Sequence, residues 1–244
     1  MPEPQDQRRT SSNPGDTATE RGGRGRGTAI AATAAATAAI AGTALFLDRP
    51  AIVWIREEWQ IAPLQDAAQY LTEVGRSTWT FGLCALAVAV GWWIRRPRLA
   101  GGGLLIALCV AASGAMAAVL KFFVGRARPQ LFDEHGHFAM SPFSIDHAWN
   151  SFPSGHSTTA AALAGVLWVM DPPRRWLWLI AGVAVAATRV VIGAHHPSDM
   201  LAGFLLGWTI AVSLARTAPN WWPATWCRIA CPSGRKTSPS PDAN

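Results

Sequence analysis

Charge is almost absent from long stretches of this chain. No Asp, Glu, Lys or Arg occurs between Ser77 and Ile94, between Leu99 and Leu120, or between Ala148 and Met170. An apolar helix needs about 20 residues to cross a bilayer, so runs of this kind point to a membrane protein rather than a soluble core. The composition agrees. Only 15% of the 244 residues are charged, and 50% are hydrophobic, whereas soluble domains carry roughly 25% charge.

Six apolar runs can be marked off: Thr28–Leu47, Ser77–Ile94, Leu99–Leu120, His156–Met170, Trp176–Ala194 and Asp199–Ala215. They predict an all-α fold, a polytopic bundle of six transmembrane helices. The fourth run is short for a span. The first, rich in Ala, Thr and Ile, reads as a retained anchor rather than a secretory signal peptide, because it is long enough to span and more spans follow. Residues 1–27, rich in Gly, Arg, Ser, Thr and Pro, are expected to be a disordered cytoplasmic segment. Residues 28–217 form the membrane domain, and 218–244 form a cytoplasmic tail. The stretch 48–76 mixes Trp54, Trp59, Glu57, Glu58 and Asp66 with apolar residues and is expected to lie along the interface.

Six spans place both termini on one side. The N-terminal segment, the loops after the second and fourth runs, and the tail together hold fourteen basic residues, against seven on the other side. The positive-inside rule therefore predicts cytoplasmic termini in a cell (plasma) membrane. The loops at 48–76, 121–155 and 189–199 then face outward. Trp92, Trp93, Trp168, Trp176 and Trp178 fall near the predicted cytoplasmic ends, as interfacial anchors do. Trp208, mid-span, reads as packing.

The net charge of +6 does not imply nucleic acid. Most of the arginines sit at the edges of apolar runs, and no basic face with interleaved aromatics is present. Cys84 and Cys109 read as small buried hydrophobes. Cys227 and Cys231, three residues apart, have no further ligand nearby to complete a zinc site.

The outward loops carry the chemistry. Lys121 and Arg128 flank the start of the second loop, which ends in Pro153-Ser-Gly-His156. The third holds Arg189, His195, His196 and Asp199. Guanidinium and ammonium groups suit phosphate oxygens. The amides of Ser154 and Gly155 precede an apolar helix and would point at an anion. Lys121, Arg128, Ser154, Gly155 and Arg189 thus make a candidate phosphate cradle that needs no metal and no cofactor. Taken singly, Lys121 reads as a snorkelling residue, and Arg126 and Arg128 as loop charges. Arg189 lies inside the fifth run, where charge is costly and usually functional; an ion pair with Asp199 is the competing reading. His195 is the candidate nucleophile, and Asp199 can accept its other ring N–H. His156 can protonate a leaving oxygen and then activate water. His196 reads as structural. His135, His137 and His147 match no strong metal template.

The three segments resemble the three-part signature of the type 2 phosphatidic acid phosphatase superfamily, the lipid phosphate phosphatases. Lys-x6-Arg-Pro is similar to Lys121–Pro129, Pro-Ser-Gly-His to Pro153–His156, and Ser-Arg-x5-His-x3-Asp to Thr188–Asp199 with Thr in place of the first Ser. The resemblance covers about residues 77–217. It implies a six-helix membrane bundle with its active site at the outer face. It also implies His195 as nucleophile forming a phosphohistidine, His156 as acid and base, Asp199 as partner of His195, and Lys121, Arg128, Ser154, Gly155 and Arg189 as phosphate ligands. The expected substrate is a phosphomonoester or pyrophosphate of a membrane lipid, such as a prenyl pyrophosphate or phosphatidic acid. The rival readings are a phosphotransferase of the same superfamily, a haloperoxidase, and a non-catalytic lipid transporter or scaffold.

Overall fold

The computed structural model describes residues 14–58, 61–136 and 138–218, with backbone alone for 14–27. Trp59, His137, residues 1–13 and the tail from residue 219, with Cys227 and Cys231, lie outside the described residues. The chain divides into two units, residues 1–39 and residues 40–244. Among the described residues the fold is all helical, apart from one isolated bridge between Arg126 and Met140.

Helix α1 runs Pro14–Phe46. The segment before Thr28, expected to lack structure, is therefore helical from Pro14 onward, since an established helix propagates by one hydrogen bond per added residue. Threonines within α1 bond back one turn, Thr33 to the Ala29 carbonyl and Thr37 to that of Thr33, so their hydroxyls are satisfied without water.

The second unit holds α2 (Asp48–Glu57), α3 (Ala62–Glu73), α4 (Ser77–Trp93), α5 (Pro97–Val124), a short α6 (Phe132–His135), α7 (Gly155–Met170), α8 (Arg175–Val191) and α9 (Pro197–Thr217). Among the described residues three helices are long and apolar enough to cross a membrane: Thr28–Phe46 within α1, α5 and α9. The stretch 48–76 is not one interfacial segment. Its second half, α3, leads into α4 through a 42° bend, and the two helices together make a fourth candidate span. The break falls where Gly75 packs against Val185 and the backbone of His156. Helices α7 and α8 have 16 and 17 residues. At 1.5 Å per residue they reach about 24–26 Å, short of a hydrocarbon core of about 30 Å.

Helix α7 is the centre of this unit and packs on α9, α8 and α5. Its composition explains why. Residues Ser157 to Ala162, Ala164, Gly165 and Val166 are all buried, and a helix enclosed on every side needs small residues to let its neighbours approach. The hydroxyls remain bonded: Thr158 donates to the Ser154 carbonyl at 2.8 Å, and Ser157 to the Ser154 hydroxyl at 3.0 Å. Toward the far end, Val166 and Ala162 join Leu105, Cys109, Val110, Ala211 and Ala215 in an apolar core. There Trp168 meets Trp176 and Trp208 edge to face, with the Arg175 guanidinium over Trp168 and Trp176.

The approach of α9 to α7 depends on two glycines. A Cβ at Gly203 would collide with the Ser154 carbonyl oxygen, and one at Gly207 with the carbonyl of Thr158. Gly207→Val is therefore expected to destabilise the protein by at least about 1–3 kcal/mol, the cost of overpacking. Gly82, whose added Cβ would meet nothing within 4 Å, is the control. Gly82→Ala should leave the thermal midpoint in detergent unchanged or raise it, because Ala is the better helix former.

Candidate active site

The antiparallel run of α5, α7, α8 and α9 brings the C-termini of α5 and α8 to the same end as the N-termini of α7 and α9. All three motifs meet there. Gly125 ends α5 in the left-handed region at φ 58°, and a Cβ there would overlap the Ser141 backbone. The chain then runs extended through Arg126–Arg128. It is stitched to the returning limb of the loop by Ser141 N–H to Gly125 O, Ala127 N–H to Ala139 O, Arg128 N–H to Ala148 O and Ser151 N–H to Arg126 O. Residues two apart on an extended strand share a face. Arg126 and Arg128 accordingly both reach the 194–199 segment.

At the end of α8 the Arg189 carbonyl accepts the amides of both Ala194 and His195. This turn fixes His195 beside the helix it follows. Two bonds from the other motifs then close the site. The Ser154 amide donates to the Asp199 carbonyl at 3.0 Å, and the Lys121 ammonium donates to the Asn150 carbonyl at 2.6 Å.

Ser154 is engaged within the fold. Its amide is consumed by Asp199, and its hydroxyl caps α7 by accepting from Ser157. The first turn of a helix leaves its early amides without intrahelical acceptors, so the amides of Gly155 and His156 are the candidates to meet an anion here.

The cations fall into two groups. Lys121, Arg128 and Arg189 form no ion pair with a carboxylate among the described residues. Lys121 bonds backbone carbonyls, Arg128 bonds the carbonyls of His147 and Ala194, and Arg189 bonds the Thr72 hydroxyl, with its Nε buried and unpartnered. Burial lowers the pKa of Arg128. The second group is Arg126 alone, which reads as a loop charge in the sequence but is 4% exposed. It bonds Asp199 at 2.7 Å and Asp48 at 2.8 Å. Arg126 thus occupies the ion pair with Asp199 that the competing reading gave to Arg189.

Asp199 is wholly buried and crowded with donors. Its Oδ1 accepts from Arg126. Its Oδ2 accepts from the Ser151 hydroxyl at 2.5 Å and the His196 amide at 3.0 Å, and lies 3.1 Å from His196 Nδ1. His195 Nδ1 stands 3.8 Å from the same oxygen and 3.4 Å from the Ser151 hydroxyl. The contact between His195 and Asp199 is therefore ionic in length rather than a direct hydrogen bond, and Ser151 bridges it. Sequence reading missed Ser151, Ser198, Asp48 and Thr72. Ser198 lies within the third motif; the other three carry no local signal.

His156 opens α7 and lines, with Lys121, one end of a cavity of about 540 Å³, whose wall includes Phe81, Ala111, Gly114 and Ala118. Among the described residues no group of three or more His, Cys, Asp or Glu is arranged to hold a metal. His135 packs instead edge to face on Trp149.

The chain is similar to known proteins. A lipid A 1-phosphatase of Rhizobium johnstonii is 33% identical over 183 residues, 66% of this chain and 75% of that protein. An undecaprenyl-diphosphatase of Sulfolobus acidocaldarius is 30% identical over 166 residues, again 66% and 75%. Residues 102–223 match the PAP2 superfamily. The chain belongs to the PAP2 superfamily. A PAP2-type phosphatidylglycerolphosphate phosphatase from Bacillus subtilis shares the fold, with a TM-score of 0.52 over 80% of this chain and 89% of that one at 23% identity. As a PAP2 protein the chain is a hydrolase, a membrane phosphatase that passes through the membrane more than once.

Burial pushes the His195 pKa down to about 3, against 6.5 for a free side chain, despite the opposing charge of Asp199. Below pH 6.5 the unfolded PAP2 chain binds a proton on His195 that the folded chain refuses until about pH 3, so stability falls as the pH drops through that window. His195 should account for about 2 kcal/mol of the stability lost between pH 7 and pH 5. The fall in thermal midpoint between those two pH values should shrink in His195→Gln.

Proposed function

We propose that this protein hydrolyses a phosphomonoester or pyrophosphate on the headgroup of a membrane lipid, through a phosphohistidine formed on His195. The observation that carries the reading is the sorting of charge at one end of the bundle. The buried Arg128 and Arg189 and the half-buried Lys121 pair with no carboxylate among the described residues and stand in the same motifs as two histidines, while Arg126 is committed to Asp199.

Lys121, Arg128, Arg189 and the amides of Gly155 and His156 hold the phosphoryl oxygens and stabilise the charge that grows on them. His195 stays neutral at physiological pH and attacks phosphorus through Nε2, since Nδ1 faces Ser151 and Asp199. The N–P bond forms as the bond from phosphorus to the lipid oxygen breaks, and His156 gives that oxygen a proton. Asp199 offsets the positive charge on the His195 ring. His156 then takes a proton from water, whose oxygen attacks phosphorus and releases phosphate from His195.

The apolar wall of the cavity beside His156 supports a lipid rather than a soluble phosphate ester. The six apolar runs support six spans, and the basic-residue distribution supports cytoplasmic termini and an outward site in the plasma membrane. The candidate substrates are lipids of the kinds that the relatives' names record: lipid A, undecaprenyl diphosphate and phosphatidylglycerophosphate.

Purified protein in detergent, with chelator present, should release inorganic phosphate from at least one of these three lipids. His195→Ala should lower the rate at least about 10³-fold, as loss of a nucleophile does, and Arg189→Met should lower kcat by about 10²-fold, as loss of an oxyanion donor does. Phosphate release by His195→Ala at the wild-type rate would sink the mechanism.

A further inference from the structure

Asp48 is the first residue of α2, lies outside the span that matches the PAP2 superfamily, and is completely buried. A lone carboxylate in such a place is costly unless paired. Its partners are all on the catalytic side of the fold. Oδ2 accepts from Arg126 at 2.8 Å and from the Ser198 hydroxyl at 2.5 Å, and Oδ1 accepts from the Ser198 amide at 2.9 Å. Arg126 also donates to Ser198 Oγ and to Asp199 Oδ1, both at 2.7 Å. Asp48, Arg126, Ser198 and Asp199 thus form a continuous chain that ends on the carboxylate nearest His195.

The formal charges decide what this chain does. One guanidinium faces two carboxylates, so the cluster carries one negative charge in excess. Were Asp48 absent, Arg126 would be matched to Asp199 alone and would neutralise it. With Asp48 on its other side, the guanidinium is shared, and Asp199 keeps charge to offer the ring of His195. The planar fork matters as well. Arg126 can bond two carboxylates at once, and lysine cannot reproduce that geometry.

We propose that Asp48 is a positioning residue for the phosphatase reaction. Through Arg126 and Ser198 it fixes the orientation of Asp199 and preserves its charge, so that the positive ring of His195 is stabilised as the N–P bond forms. The proposal rests on the His195 mechanism above. It gives α2, which contributes no residue to the three motifs, a direct hold on turnover.

The test uses full-length protein in detergent micelles, with the lipid hydrolysed fastest among lipid A, undecaprenyl diphosphate and phosphatidylglycerophosphate. Wild type, Asp48→Asn, Ser198→Ala, Arg126→Lys and the double variant Asp48→Asn/Arg126→Lys are compared, with rates normalised to folded protein by gel filtration and thermal unfolding. Asp48→Asn is expected to lower kcat about 10- to 100-fold, the usual effect of losing a group that orients a reacting side chain, with KM within twofold. Its effect should largely vanish in the Arg126→Lys background, because the two changes break one path. Ser198→Ala, which keeps every charge, should lower kcat several-fold and serves as the deciding variant if Asp48→Asn does not fold.

A merely structural Asp48 would lower the thermal midpoint and leave kcat per folded molecule within twofold of wild type. That result, unchanged kcat in Ser198→Ala, or fully multiplicative effects in the double variant would each overturn the proposal. His195→Ala measured alongside separates the two levels. If it is inactive while Asp48→Asn turns over normally, the positioning role fails and the mechanism stands. If it is active, the mechanism fails and the proposal with it.

Discussion

Burying a guanidinium is costly by several kcal/mol unless carboxylates meet its fork, and Arg126 meets Asp199 on one side and Asp48 on the other. The three charged groups come from the loop after α5, the start of α9 and the start of α2. None of them can leave without stranding the others in a low-dielectric interior. The pairing therefore ties three parts of the chain, up to 150 residues apart in the bonds of Asp48 to Ser198, into one end of the bundle. Backbone bonds from Arg126, Ala127 and Arg128 to the returning loop depend on the same placement, and so does the depth at which Ser151 meets Asp199.

Around that anchor the remaining charges are arranged on a different principle. Lys121 and Arg128 are held by carbonyl oxygens and Arg189 by a threonine hydroxyl. Such contacts fix direction and satisfy donors, yet leave the full positive charge for an incoming anion. A carboxylate in any of these places would have cancelled the field that attracts phosphate. The division between one neutralised arginine and three uncompensated cations separates the group that builds the site from the groups that serve it. It could not have been drawn from the residue types alone, because Arg126 and Arg128 stand two positions apart in the same motif.

The sequence was most legible where long-range physics acts on single segments. Apolar runs located helices α4, α5, α7, α8 and α9 to within a few residues, because apolar composition and span length need no partner to be read. The eight candidate site residues could be named because three spaced motifs carry them. What escaped was anything decided by pairing. Arg126 looked like a loop charge since its two carboxylates lie far away in sequence. Asp48 carries no local signal, because its partners Arg126 and Ser198 are equally remote. Ser154 was assigned to the anion because helix starts usually offer their amides, and only the approach of α9, permitted by Gly203, reveals that Asp199 takes that amide first. The helix upstream of Thr28 was missed because composition predicts poor burial, whereas helix propagation needs none.

The two sides of α7 live under different rules. Toward α9 it is in backbone contact, and a single methyl group at Gly203 or Gly207 would force the helices apart. Toward α5 the wall of the cavity beside His156 includes Gly114, where an added side chain would meet open space. The first side freezes the distances on which the phosphate chemistry relies. The second can be reshaped, one residue at a time, at no cost to the frame. A lineage built on this bundle can therefore exchange the greasy portion of its ligand by small steps while the ionic end stays as it was.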